Sequence, residues 1–146
     1  MKMGSGPRLA ALLLALSPVA CVTPAPQGNQ FEGAWNATDN VKIVFRDDTV
    51  VVNQPNGTSN AYSAANCDGQ FRFGYGDRSR DLLLGLVPRQ SDLRAKLSNM
   101  LVQPSYPIAV LICGDGDHTY VMLDDRDVVT IYREGDIANL DRLTRS

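Results

Sequence analysis

The side chains best suited to chemistry in this 146-residue chain gather in one short stretch, Asp115-Gly116-Asp117-His118. A histidine beside two carboxylates can move a proton or join a mixed-ligand metal site. Asp- and Gly-rich stretches are also how tight turns are built, and this one lacks the length and terminal bidentate glutamate of an EF-hand loop. His118 is the only histidine, which excludes a multi-histidine zinc site, so no metal is expected. No serine stands in a Gly-x-Ser-x-Gly turn. Gly74-Tyr75-Gly76 is too short for a phosphate cradle and lacks the following lysine and helix start. The acids Asp124, Asp125 and Asp127 sit in a turn-like stretch, where a solvated hairpin turn is the expected role. The chain is therefore expected to carry no catalytic residue, to use no cofactor and not to be an enzyme.

The three cysteines divide into one and two. Lys2 and Arg8 precede the apolar run from Leu9 to Leu16, and Ala20 directly precedes Cys21, the pattern of a cleaved export signal. Val19-Ala20-Cys21 resembles the processing site of bacterial lipoproteins, with Pro18 where leucine is usual. The resemblance implies an acylated Cys21 that anchors the mature chain to a membrane, and a place in the cell envelope on the periplasmic face of the outer membrane. Cys67 and Cys113 then remain as a candidate disulfide, of the kind that persists in an oxidising compartment.

Removal of twenty residues leaves 126, enough for one domain with its own core. Fourteen basic residues less Lys2 and Arg8 leave twelve against sixteen acidic ones, a net charge of −4. Nucleic acid is thus not an expected partner, because phosphate binding needs clustered cations. The one local basic excess is Arg72, Arg78, Arg80, Arg89 and Arg94, a candidate surface for an anionic partner. No later stretch has the roughly 20 consecutive apolar residues of a membrane-spanning helix.

These residues need elements to position them. Residues 21–30, with Pro24, Pro26 and Gly28, have the composition of a spacer after the anchor cysteine. From Phe31, apolar residues alternate through Ile43 and Phe45, and again through Phe71, Phe73 and Tyr75, as strands require. Turn residues follow at Asp47-Asp48, Pro55-Asn56-Gly57, Gly114-Asp115-Gly116, Asp124-Asp125 and Glu134-Gly135-Asp136. Between strands, Leu93, Leu97, Met100 and Leu101 share one helical face, which predicts an amphipathic helix from Pro88 or Ser91 to Leu101. The expected organisation is a signal peptide (1–20), a spacer (21–30) and one mainly-β domain (31–146). That domain is an antiparallel barrel or sandwich of about eight strands with one inserted helix.

Gly33-Ala34-Trp35 near the first strand and Arg142 near the last resemble the framework of lipocalins and the wider calycin barrels. There a Gly-x-Trp places an indole across the barrel floor and a C-terminal arginine packs on it. The resemblance implies that Gly33, Trp35 and Arg142 close a small barrel. Bacterial barrel inhibitors of secreted metalloproteases share that outline. The functional expectation is a non-enzymatic, lipid-anchored envelope protein that binds a small ligand or a protein partner. An inhibitor of a secreted or periplasmic hydrolase is the alternative, and a structural envelope component a second one. Barrel volume separates them, since a ligand binder needs a cavity of roughly 300 Å³ or more.

Overall fold

Glycine, asparagine and aspartate at the turns cut the chain into nine antiparallel strands. They are β1 (Gly33–Asn36), β2 (Lys42–Phe45), β3 (Val50–Asn53), β4 (Ser59–Ala61), β5 (Phe71–Ser79), β6 (Ser105–Cys113), β7 (Gly116–Met122), β8 (Asp127–Glu134) and β9 (Ile137–Arg145). The structure, a computed structural model, describes residues 30–146. The export signal, Cys21 and the spacer through residue 29 lie outside the described residues. Among those described, no helix is long and apolar enough to cross a membrane.

The strands form one sheet in the order β4-β3-β2-β1-β9-β8-β7-β6-β5. The first and last strands are neighbours, with Trp35 opposite Arg145 and Asn36 opposite Thr144. The fold is mainly β, as expected, and of the two expected arrangements it is the open, sandwich-like one rather than the closed barrel implied by the calycin resemblance, because β4 and β5 stand at opposite ends of the sheet. The reason is local. β4 has three residues, all exposed, so it has no apolar face to bury against β5. After it, the chain leaves the ladder and closes small turns of its own, Asn66 N–H to Ser63 O and Gly69 N–H to Ala64 O.

The sheet nonetheless folds back on itself. Period-two alternation sends Trp35, Phe45, Leu111, Tyr120, Met122, Val128 and Leu143 to the inner face, where they are buried with Phe31 and Val50. The Phe45 and Tyr120 rings meet edge-on at 4.8 Å, and Phe31 lies 5.8 Å from Tyr75, so β1 to β3 cover β5 to β7. Among the described residues, these side chains pack the interior as one cluster. Across the open seam, the Tyr75 hydroxyl donates to Arg46 O at 2.8 Å. Burial, with Asp47 and Glu32 nearby, pushes its pKa up to about 12, so it remains a donor at neutral pH.

The inserted segment holds two helices rather than one, α1 (Arg80–Leu84) and α2 (Asp92–Met100). Ser79 Oγ accepts from Leu82 N–H and Ser91 Oγ from Arg94 N–H, capping both starts. Leu83, Leu84 and Leu97 of these helices, with Leu101 just past α2, bury the outer face of the sheet through Ile108, Val121, Val129 and Ile131. The apolar stripe of α2 is thus packing, and it covers the flank of the sheet.

Candidate functional site

At one end of the inner face the core gives way to polar-tipped rings. His118 on β7 stands in register with Tyr132 on β8 and Leu111 on β6. Its imidazole centroid lies 4.6 Å from that of Tyr132, 6.0 Å from Tyr120 and 6.2 Å from Tyr62. Tyr62 reaches the group from the segment after β4. Its N–H donates to Val50 O at 3.0 Å, and its carbonyl accepts from Thr49 Oγ1 at 2.8 Å.

The disulfide holds this segment in place. Cys67 and Cys113 are bonded, with Cα atoms 4.7 Å apart, and so tie the β4–β5 connection to the end of β6. Beside the bridge, Gly114 N–H donates to Gln70 O at 2.9 Å. A cleft of about 360 Å³ opens there, lined by both cysteines, Tyr62, His118 and Tyr132, and by Asp68, Asp115 and Glu134.

Burial sets the protonation of these groups. It lowers the pKa of His118 against the opposing pull of Asp117, so the imidazole is neutral at neutral pH. The Tyr62 and Tyr120 phenols are raised by burial, and that of Tyr132 chiefly by its hydrogen bond to Glu134. The rings therefore present uncharged faces while the carboxylates line the rim.

Asp115, Asp117 and His118 do not converge on a common point. Consecutive strand residues face opposite sides of a sheet, so Asp117 lies on the outer face and His118 on the inner. Among the described residues, no group of three or more His, Cys, Asp or Glu side chains is placed to hold a metal ion. The acids at 124–127 are turn formers, with Asp124 Oδ1 accepting from the Arg126 and Asp127 N–H groups at 2.8 and 2.9 Å.

The other end of the inner face carries the tryptophan, and here the expected arginine is wrong. Arg145, not Arg142, lies over the Trp35 ring, with Cζ 4.3 Å from the centroid. Its donors reach Asp125 O at 2.7 Å, Glu32 O at 3.1 Å and Gln30 O at 2.8 Å. Arg142 has the opposite parity to Leu143, so it points to the other face and pairs with Asp127 at 2.9 Å. Gly33, at φ 115°, adopts a backbone conformation in which a side chain would be strained, and a Cβ there would lie 3.5 Å from Arg145 Nη1.

Arg145→Ala is expected to destabilise the domain by about 1–3 kcal/mol, since it removes a cation–π contact and the donors of three carbonyls. Trp35 is the only tryptophan, so its emission should shift as well. Arg142→Ala is expected to change little, because its ion pair is exposed. Chemical denaturation of both variants followed by fluorescence checks this, and equal effects would overturn the assignment.

The five arginines proposed as an anionic surface are not gathered into one. Arg72 and Arg78 stand six residues apart on β5, and Arg89 is exposed in the loop between the helices. Arg80 turns back to Leu101 O at 2.6 Å and Ser98 Oγ at 2.8 Å, and Arg94 to Leu84 O at 2.7 Å. Arg80 thus supplies a donor to the carbonyl at the end of α2, and Arg94 adds one to Leu84 O, which also accepts from Val87 N–H.

Tyr62, Asp68, Tyr132 and Glu134 were not singled out by the sequence. A signal was present for part of the cluster. His118 and Tyr120 have core-facing parity on a strand, where polar tips are unusual.

Fold and cleft together define a small, disulfide-linked antiparallel β-domain with an aromatic cluster at one end of its core. Comparison of the chain with protein-family models, with curated proteins and with solved structures finds no match in any of the three. The lipocalin and calycin resemblance is corrected by the fold itself, since the sheet is open and closes no barrel. The lipoprotein resemblance, with the outer-membrane and periplasmic assignment that went with it, is likewise withdrawn. Cys21 lies outside the described residues, and the comparisons return no match that could support it.

Proposed function

We propose that this chain is a non-enzymatic binding module, exported to an oxidising compartment, that holds its ligand in the cleft around His118. The observation that carries the reading is a group of four rings, Tyr62, His118, Tyr120 and Tyr132, at the open end of an otherwise filled core. The cleft volume of about 360 Å³ falls within the range of small-molecule sites. The disulfide supports export, since such bonds persist in oxidising compartments.

A mixed set of cationic, anionic and neutral fragments, titrated against the isotope-labelled protein, tests the reading by NMR. Shifts centred on Tyr62, His118 and Tyr132, and lost in Tyr132→Ala, are expected. Perturbations elsewhere, or none at all, would overturn it. A filled interior also suits an inhibitor of a secreted hydrolase, which needs only a rigid loop. Inhibition of such an enzyme by wild type and Tyr132→Ala alike would favour that second reading.

A further inference from the structure

The walls of the cleft differ from those of an ordinary apolar pocket. Its rings are Tyr62, His118 and Tyr132, its charged side chains are Asp68, Asp115 and Glu134, and neither lysine nor arginine lines it. Aromatic faces carry negative quadrupole density, and a cation within about 6 Å of a ring centroid is drawn to it. Three carboxylates around the same opening add a field of the same sign.

We propose that this cleft receives an organic ammonium group carried by a small molecule, held by the faces of Tyr62, His118 and Tyr132 and by the carboxylates of Asp68, Asp115 and Glu134. The proposal rests on the cleft being a binding site and adds the chemical class of its ligand.

Each wall contributes differently. Tyr132 is oriented by donating its hydroxyl to Glu134, which fixes the ring while leaving the second carboxylate oxygen available to an N–H donor. Tyr62 and Tyr132 both lie against the imidazole, at centroid distances of 6.2 and 4.6 Å. Being neutral at neutral pH, His118 does not repel a cation. Asn66, also in the wall, is committed to the local turn, with Oδ1 accepting from Ser63 N–H at 2.7 Å and Nδ2 donating to Ala61 O.

A divalent metal fits less well. Such ions need several oxygen ligands at 2.0–2.6 Å on the ion, as a rule, and these carboxylates do not form a group placed to hold one. A broad, weakly hydrated ammonium needs ring faces and diffuse charge instead.

The test is a charge series of matched shape on the wild-type protein: benzyltrimethylammonium, its neutral tert-butyl isostere and benzoate, by calorimetry. The cation is expected to bind at least about tenfold more tightly than the isostere, as a cation–π contact of about 1.4 kcal/mol requires, and benzoate not at all. Tyr132→Leu and Glu134→Gln should each weaken the cation several-fold without lowering the melting temperature, and Asp136→Asn, outside the cleft walls, should leave it unchanged.

Equal or tighter binding of the isostere at the same residues would overturn the ligand class while leaving the cleft a binding site. Failure of all three probes would remove the cleft reading with it. Calcium displacing the cation would assign the site to a metal. Binding to phosphatidylcholine vesicles in preference to the free cation would assign it to a lipid surface. Either result overturns the proposal.

Discussion

Trp35→Ala is expected to produce a large loss of stability, about 3–5 kcal/mol, the range for removing a large aromatic side chain from a core. Its indole is fully buried and acts in three ways. It fills the inner face beside Phe31, Phe45 and Leu143. Its Nε1–H donates to Phe31 O at 2.9 Å, fixing the chain as it enters β1. Its ring is also the platform for Arg145. Alanine leaves a cavity, an unpaired carbonyl and an arginine without its stacking partner. Trp35→Phe keeps much of the apolar volume and loses the N–H donor, so its cost should be smaller. Urea unfolding followed by circular dichroism separates the two, because neither variant has tryptophan emission. A loss below about 1 kcal/mol for Trp35→Ala would contradict this account.

Removing the disulfide is the second large effect. The bridge closes a loop with a sequence separation of 46 residues, and the chain-entropy treatment gives roughly 4 kcal/mol for a loop of that length. The double variant Cys67→Ser, Cys113→Ser avoids a leftover thiol. Its melting temperature is expected to fall by on the order of 10 °C, with a matching fall when the wild type is reduced. The cleft should suffer first, since residues 62–70 are attached to β6 through this bond and supply Tyr62 and Asp68. A variant that melts with the reduced wild type but still binds the cleft ligand would show that local hydrogen bonds alone hold the segment. Two titratable thiols in the unfolded, unreduced protein would refute the bond itself.

Much of the fold was legible because turn chemistry and period-two alternation are local. Asp47-Asp48, Pro55-Asn56-Gly57 and Glu134-Gly135-Asp136 mark true turns, and Gly57 and Gly135 have positive φ. Ser91 marks the true start of α2. Helix α1 was overlooked although Ser79 and Gly85 frame it, because five residues are too few for a helical period to register. Sheet closure was not legible, since nothing in Ser59-Asn60-Ala61 specifies which edge that strand will meet. The arginine was misplaced by strand length. Arg142 reads as the arginine that closes the last strand, whereas β9 continues to Arg145, and the parity shared by Leu143 and Arg145 was the available clue. The aromatic cleft joins residues from three distant segments, Tyr62, His118 and Tyr132, and only pairing brings them together.

The sheet order also has a kinetic consequence. Seven of its eight ladders join strands adjacent in sequence, so β1–β4 and β5–β9 are two meanders that form from short-range contacts. Only the β1–β9 ladder, at Trp35 with Arg145 and Asn36 with Thr144, spans nearly the whole described chain. Loop-closure entropy is therefore concentrated in a single seam. The two meanders must dock there, and the Trp35–Arg145 stack is the contact that rewards the docking.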